Sequence, residues 1–468
     1  MSTKPIVPKS VAGEPVTPEQ EEWLTGYFDG LEKQGLRFSD VEPEDGPKPK
    51  KKLAKEEAIK RELHPFDAFA EIQRKGKEDL PPEKEDIFRF KWNGLFWLAP
   101  VHEGYMCRLR IPGGRVFSHQ LRELASVSED LASGYLQVTT RNNFQIRVIQ
   151  PRDTPALLRR IQDCGLHSRG AGADNLRNFT GNPTAGFDAK ELIDVMPLIE
   201  DLAHEVINQQ EFYDRPRKFN ISFDGGGTVG VAEDTNDIGL RASQLGDPPE
   251  GHPLHGKVTA GIYFQVLLGG VTGHEEFAED AGVILRTEEA VSAVLAMTRV
   301  YIRHGNRGNR GRSRLIYLLK DWGFEKFLSE AEEVFGQAFI RFPKEAQDLL
   351  LDSEEAPTKE HLHLGVRSQK QEGKVYFGIH VPVGILMPDE ARAIADIAEE
   401  FGSGEVRLTI FQNLLIPNVA ESDVEVVKNR LRAAGLLWEA SLLRGALAAC
   451  TGNQYCKYAN SDTKRHGV

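Results

Sequence analysis

The sequence predicts an α+β protein built from one structural unit used twice. Two observations carry that expectation. Apolar patterning runs strand–helix–strand–strand–helix from about residue 105 and returns in the same order from about residue 375. Landmarks recur at a constant separation: Pro112 and Pro382, Asn143 and Asn413, and Gly165 and Gly435 all stand 270 positions apart. Three matches without a net gap point to a duplication rather than coincidence.

Residues 1–93 form an N-terminal extension rich in Lys, Glu and Pro, and KPKKKLAKEEAIKRELH (48–64) joins a basic run to a helix-like segment. This reads as a solvated, wrapping arm, or else as a docking surface for an acidic electron donor. The first unit, 94–166, holds a strand in YMCRLRI (105–111), a PGG turn, a helix in SHQLRELASVSEDLA (118–132), strands in YLQVTT (135–140) and FQIRVI (144–149), and a helix in 154–166 ended by Gly165. An intervening α/β domain, 167–345, carries strand signals at 218–225 and 261–270 and amphipathic helices at 289–305 and 324–336. The acidic stretch 346–363, with Pro357, reads as a linker. The second unit, 364–437, repeats the order with strands at 375–381 and 406–410 and helices at 388–401 and 422–436. Residues 438–468 open a further domain. Each unit is about half of a ferredoxin-like α+β domain, and two such halves can pair into one sheet.

Composition narrows the function classes. Hydrophobic content of 40% and charged content of 27% are those of a folded chain in water. No stretch approaches the length of a membrane helix, and the N-terminus has no apolar core of a secretory signal, so a cytoplasmic location is expected. The formal net charge of −12 argues against a general nucleic-acid binder. Four cysteines make no disulfide framework; Cys107 and Cys164 read as small buried hydrophobes.

The duplication also acts as a control. Arg108 faces Gly378 and Arg141 faces Phe411. Allowing one inserted residue, Gly181–Asn182 matches Gly452–Asn453, Arg177 faces Ala448, and Phe179 faces Cys450. The first copy thus carries arginines where the second carries small or apolar residues, and the second carries paired cysteines. One copy is expected to face an anion and the other a metal centre, against the alternative of drift on a solvated surface. PRKFN (216–220) adds Arg217, Lys218 and Asn220, with Lys218 and Asn220 on one face of a strand. The run 301–314 adds Arg303, Arg307, Arg310, Arg312 and Arg314 with no acid among them, which suits a multivalent anion, a nucleotide or a solvated face. CTGNQYC (450–456) places two thiols close enough to share one metal centre, or to be a chance pair.

RLRIPGG (108–114), TTRNNFQIR (139–147), DNLRNFTGNP (174–183), PRKFNIS (216–222), the RHGNRGNR run and CTGNQYCKYA (450–459) together resemble the sirohaem-dependent nitrite and sulfite reductases. The resemblance spans roughly residues 90 to 468. It implies two paired ferredoxin-like half-domains flanked by α/β domains, and a sirohaem coupled to a [4Fe–4S] cluster. It also implies ferredoxin as one-electron donor and six-electron reduction of nitrite to ammonia, or of sulfite to sulfide. By motif position, Arg108, Arg177, Lys218 and Asn220 would line the substrate anion. Arg141, Arg217, Arg307 and Arg310, with Asn143 and Arg303 beside them, would meet the cofactor. Cys450 and Cys456 would be the first two cluster ligands. The sulfite reductases of the family look like lysine at position 220 and the nitrite reductases like asparagine. An amide in place of a cation suits a monoanion, so Asn220 favours nitrite.

The family pattern continues with a C-x3-C pair, whereas this sequence ends at Val468 in text that reads as the opening of a helix. The expectation is a C-terminal truncation that leaves two of four cluster ligands. The alternative of another class is a non-catalytic sirohaem or anion-binding protein.

Overall fold

The structure is a computed structural model that describes residues 10–11, 14–33, 53–351, 363–439 and 441–468. The chain divides into two units after Lys52. The first carries an antiparallel pairing of Ser10–Val11 with Glu14–Pro15 and the helix Pro18–Lys33. The lysine run at 48–52 and residues 352–362 of the expected linker lie outside the described residues.

The second unit, Leu53–Val468, is organised by the repeat. Helix Ser118–Leu131 turns Leu121, Leu124, Ala125 and Ser128 inward. Its counterpart Pro388–Phe401 turns Ala391, Ile394, Ala395 and Ala398 inward at the same 270-residue separation. This three-and-four spacing gives each helix one apolar stripe. Both helices start alike: the backbone N–H of Phe117 donates to Gln120 Oε1 at 3.0 Å, and that of Met387 donates to Glu390 Oε2 at 2.8 Å. Across their shared face the ion pairs are mirrored, Arg122 with Glu399 and Arg392 with Glu129. The copies are therefore related by a local two-fold. Backbone detail repeats as well. Asn142 and Gln412 both have positive φ (48° and 62°), as do Val148 and Asn418 (59° and 66°), the latter two beside register shifts in the strands they pair with.

The halves do not join into one sheet. They form two antiparallel five-stranded sheets that exchange an edge strand. Arg115–Phe117 leaves the first copy to pair with Glu405–Leu408 of the second, and Ile385–Leu386 leaves the second to pair with Leu136–Val138 of the first. The turn before each exchanged strand is responsible. Gly113 and Gly114 (φ 62° and 77°) and Val383 and Gly384 (φ 49° and 73°) are left-handed, which throws the chain off its own sheet. The exchange buries Val116 and Leu386 in one core common to both copies.

The chain between the copies builds a six-stranded sheet in the order Ile340–Arg341, Glu279–Arg286, Gly261–Leu268, Ile238–Leu245, Ile221–Asp224, Thr180–Gly181. Helices Met196–Asn208, Ala290–His304, Leu315–Trp322 and Phe324–Phe335 contribute to a separate core on it through Ile199, Leu202, Val294, Leu315 and Phe327. Strands Ile238–Leu245 and Glu279–Arg286 and helices Met196–Asn208 and Leu315–Trp322 go beyond the elements read from sequence. Among the described residues no helix is long and apolar enough to cross a membrane.

Candidate active site

A cavity of about 860 Å³ lies where the first copy meets the six-stranded sheet. Arg108 enters it from the end of strand Tyr105–Arg108. Arg141 comes from the turn between Leu136–Val138 and Phe144–Ile149. The β-bridge between Leu176 and Phe219 sets two further segments side by side: the N–H of Arg177 donates to Phe219 O at 2.8 Å, and the N–H of Phe219 donates to Asn175 O at 3.1 Å. Alternation about the buried Phe219 then sends Lys218 and Asn220 into the cavity. Arg310 and Arg314 enter from the glycine-rich loop after helix Ala290–His304.

These cations fall into two classes. Arg310 is neutralised by a two-pronged bond to the buried carboxylate of Asp174 (2.8 and 2.7 Å) and by Glu56 at 3.2 Å. Arg314 is neutralised by Asp237, which is fully buried, at 3.2 and 2.8 Å. Arg217 has only a looser contact, 3.6 Å to Asp174. Arg108, Arg177 and Lys218 form no ion pair among the described residues. The Arg108 guanidinium lies 4.6 Å over the Phe96 ring, and Arg177 Nη1 donates to Ala171 O at 2.8 Å. Burial, then the like charges of Arg147 and Arg141, push Arg108 down to about 10. Burial pushes Arg141 down to about 10. Arg177 is held well below the usual guanidinium range by burial and by Arg108. Burial, with Arg314, Arg177 and Arg217 alongside, brings Lys218 down to about 8. A protein of net charge −12 thus concentrates unpaired cations in one cavity. Buried, unpaired charge is costly, and a multivalent anion offsets it.

Of the residues singled out from sequence, Arg108, Arg141, Asn143, Arg177, Arg217, Lys218, Asn220 and Arg310 all line this cavity. Arg303 and Arg307 do not. Arg303 is exposed near the end of its helix. Arg307 is saturated elsewhere, donating to Glu57 Oε2 (2.9 Å), Asp214 Oδ1 (3.0 Å) and the carbonyls of Asp214 and Ile302. Asn143 supports the wall, its Nδ2 donating to Leu109 O at 2.7 Å. The side-chain amide of Asn220 makes no hydrogen bond to any described residue, and its backbone N–H donates to Asp237 Oδ2 at 2.8 Å.

Sequence reasoning passed over several residues. Asn178 donates to the carbonyls of Ile111, Arg141 and Asn142 (2.6, 2.9 and 3.1 Å) and accepts from the N–H of Ile111 (2.7 Å), so it fixes the turn that carries Arg141. Asp174 and Asp237 supply the counter-charges. Thr139, Thr140, Thr180, Asn236 and His274 line the wall. An Asn beside an arginine in DNLRNFTGNP was the one available signal, and it does not say that the amide faces backbone.

Two family models match. The nitrite and sulphite reductase 4Fe-4S domain covers residues 172–339, and the nitrite/sulfite reductase ferredoxin-like half domain covers 100–164 and again 367–434. The chain belongs to the nitrite and sulphite reductase family. Its similarity extends to a ferredoxin–nitrite reductase of Synechococcus elongatus, 35% identical over 86% of this chain and 75% of that protein, and to the chloroplastic ferredoxin–nitrite reductase of Zea mays, 33% identical over all of this chain and 80% of that protein. The solved structure of the Mycobacterium tuberculosis NirA protein superposes with a TM-score of 0.78 at 26% identity, over 89% of this chain and 76% of that one. Members of this family are reductases, so this cation-lined cavity belongs to an oxidoreductase.

The family's iron–sulphur group requires thiols, and the stretch matched by its 4Fe-4S model, 172–339, contains no cysteine. Cys450 and Cys456 lie beyond it. Cys450 is exposed, with Sγ 3.4 Å from Thr463 Oγ1, and Cys456 is half-buried. Gly452, at φ 71°, turns the chain between them. Cys107 is buried in the common core and Cys164 lies against it, so neither joins the pair. Among the described residues no group of three or more His, Cys, Asp or Glu side chains could hold a metal ion. The donor set here is two thiols and does not complete a four-thiolate cluster.

Proposed function

We propose that the cavity holds sirohaem and nitrite, and that the reaction is the six-electron reduction of nitrite to ammonia, with ferredoxin as one-electron donor, in nitrogen assimilation. One observation supports this reading above the rest: Asn220 lines the cavity together with the unpaired cations Arg108, Arg177 and Lys218. The fit to the cofactor rests on the same lining. A polycarboxylate tetrapyrrole suits a volume inside the roughly 300–1,000 Å³ range of small-molecule sites. Arg141, Arg217 and Arg310 would meet its carboxylates, and the Thr140 and Thr180 hydroxyls would donate to it.

When bound, the tetrapyrrole iron supplies the redox chemistry. The chain supplies charge, orientation and protons. Arg108, steadied by Phe96, and Arg177 hold the substrate oxygens and stabilise negative charge that grows on them as N–O bonds break. Lys218 Nζ, at about 8, carries a proton at neutral pH and can release it to a departing oxygen. The Asn220 amide donates a hydrogen bond without adding a second cation to Lys218, which matches a monoanion better than a dianion. The test is Asn220→Lys in the sirohaem-loaded protein. The ratio of sulfite to nitrite affinity is expected to rise at least about tenfold, the scale of one charge-assisted bond. An unchanged ratio would remove Asn220 as the discriminating group. Failure of the unsubstituted protein to bind sirohaem would remove the cofactor reading itself.

A further inference from the structure

Arg147 stands one layer behind the cavity wall and was assigned no role above. It lies in strand Phe144–Ile149 and is 3% exposed. Its guanidinium forms no ion pair among the described residues; its hydrogen-bond partners are neutral. Nε donates to Gln137 Oε1 at 2.6 Å, and Nη2 donates to Gln145 Oε1 at 2.5 Å and to Thr451 Oγ1 at 2.9 Å. The Tyr455 ring lies 4.9 Å from Cζ, and the Tyr455 hydroxyl accepts from Tyr135 OH at 2.9 Å.

These partners belong to two different places. Gln145 lines the anion cavity. Thr451 and Tyr455 lie inside the loop bounded by Cys450 and Cys456. Arg147 is therefore a single side chain that touches the cavity wall on one side and the two-thiol loop on the other. The repeat shows that this bridge is no requirement of the fold. At the equivalent positions the second copy has Leu415 for Gln145 and Pro417 for Arg147, and neither can hydrogen-bond in this way. A buried cation with only neutral partners is expensive to keep. It is retained where it faces negative charge, here an anion in the cavity.

We infer that Arg147 is a positioning residue that clamps the Cys450–Cys456 loop onto the wall of the anion cavity, so that loop docking and cavity occupancy are coupled. An anion that fixes Gln145 also fixes the guanidinium, and the guanidinium holds Thr451 and Tyr455. By linkage, a docked loop presents a more ordered wall to the anion. The identity of the cavity ligand rests on the sirohaem reading of the preceding section; the clamp does not.

The experiment is alkylation of the full chain by iodoacetamide, followed cysteine by cysteine by mass spectrometry. The molecule carries its own controls: Cys107 is fully buried and reports global opening, and Cys450 is exposed and gives the open-loop rate. Arg147→Gln should raise the Cys456 rate about tenfold, the scale of a lost charge-assisted hydrogen bond, with Cys107 unchanged. Arg147→Lys should fall between. Thr451→Val, which cuts one bond from the loop side and leaves the strand intact, should raise Cys456 alone. Adding sirohaem, with binding followed by absorbance, should slow Cys456 in the unsubstituted protein and not in Arg147→Gln. An unchanged Cys456 rate in both Arg147→Gln and Thr451→Val would overturn the clamp. So would Cys456 and Cys107 rising together, which would give Arg147 a purely structural role. If sirohaem fails to bind the unsubstituted protein, the cofactor reading falls, and the ligand-free alkylation rates still decide the clamp.

Discussion

Asp237→Asn isolates what the cavity's counter-charges contribute. Asp237 is fully buried and serves two partners, the Arg314 guanidinium through both oxygens and the Asn220 N–H at 2.8 Å. An asparagine can keep the bond from Asn220. It cannot neutralise Arg314, whose side chain is 5% exposed and stands beside Lys218 and Arg217. Removing one partner of a buried pair costs about 3–5 kcal/mol, because the other charge is left uncompensated. The retained bond to Asn220 places the expected loss near the lower end, about 3 kcal/mol, read as a fall in the urea midpoint at constant m. The same change adds one net positive charge to the cavity, so calorimetry should show nitrite binding more tightly as stability falls. Arg314→Met removes the orphaned cation. The double variant should recover at least about 2 kcal/mol relative to the sum of the single losses, the size of coupling expected between directly paired groups. A loss under about 1 kcal/mol for Asp237→Asn, or strict additivity in the cycle, would refute the division of the cavity's cations into paired and unpaired classes.

Lys218 sits at about 8 because burial and its cationic neighbours disfavour the charge, so it is charged below that pH and neutral above it. Nitrite affinity should therefore fall as pH rises through about 8, with proton uptake on binding near that pH, and Lys218→Met should abolish the inflection in a calorimetric titration. Arg303→Ala should leave nitrite and sirohaem affinity unchanged, whereas Arg310→Gln should lower sirohaem affinity and also destabilise the fold by leaving Asp174 with only its looser contact to Arg217. Gly378→Ala, at the position equivalent to Arg108, should cost about 3 kcal/mol or more in chemical denaturation, since its Cβ would lie 2.1 Å from the His363 carbonyl oxygen. Glu399→Gln, which cuts one of the mirrored ion pairs between the repeat helices, should cost under about 1 kcal/mol, as expected of a solvent-exposed pair.

Much of the site was legible because duplication turns one sequence into an internal comparison. Arg108 stood out against Gly378, and the structure supplies the physical reason: the chain at His363 passes too close to residue 378 for any side chain. The cavity cations were visible as arginines that one copy carries and the other lacks, and Phe219 between Lys218 and Asn220 showed by alternation that those two share a face. Arg307 was misplaced for the converse reason. Composition cannot show that Glu57 and Asp214, far off along the chain, already occupy its donors. Asp237 and Asn178 passed unnoticed because a buried acid or amide is ordinary in sequence; what sets them apart is the guanidinium or the turn that folding brings against them.

By itself the sequence determined the repeat, its helices and strands, the separation of arginines in one copy from thiols in the other, and the family resemblance. Those features are local, written in side-chain periodicity, turn residues and motif spacing. Tertiary structure alone decided that the halves exchange edge strands instead of sharing one sheet, because left-handed residues at 113–114 and 383–384 redirect the chain. It alone decided which arginines meet a carboxylate and which stay open to a ligand. It alone placed Arg147 between the cavity and the thiol loop. Charge compensation depends on distance through space, and residues far apart in the chain reach one another only after the core has formed.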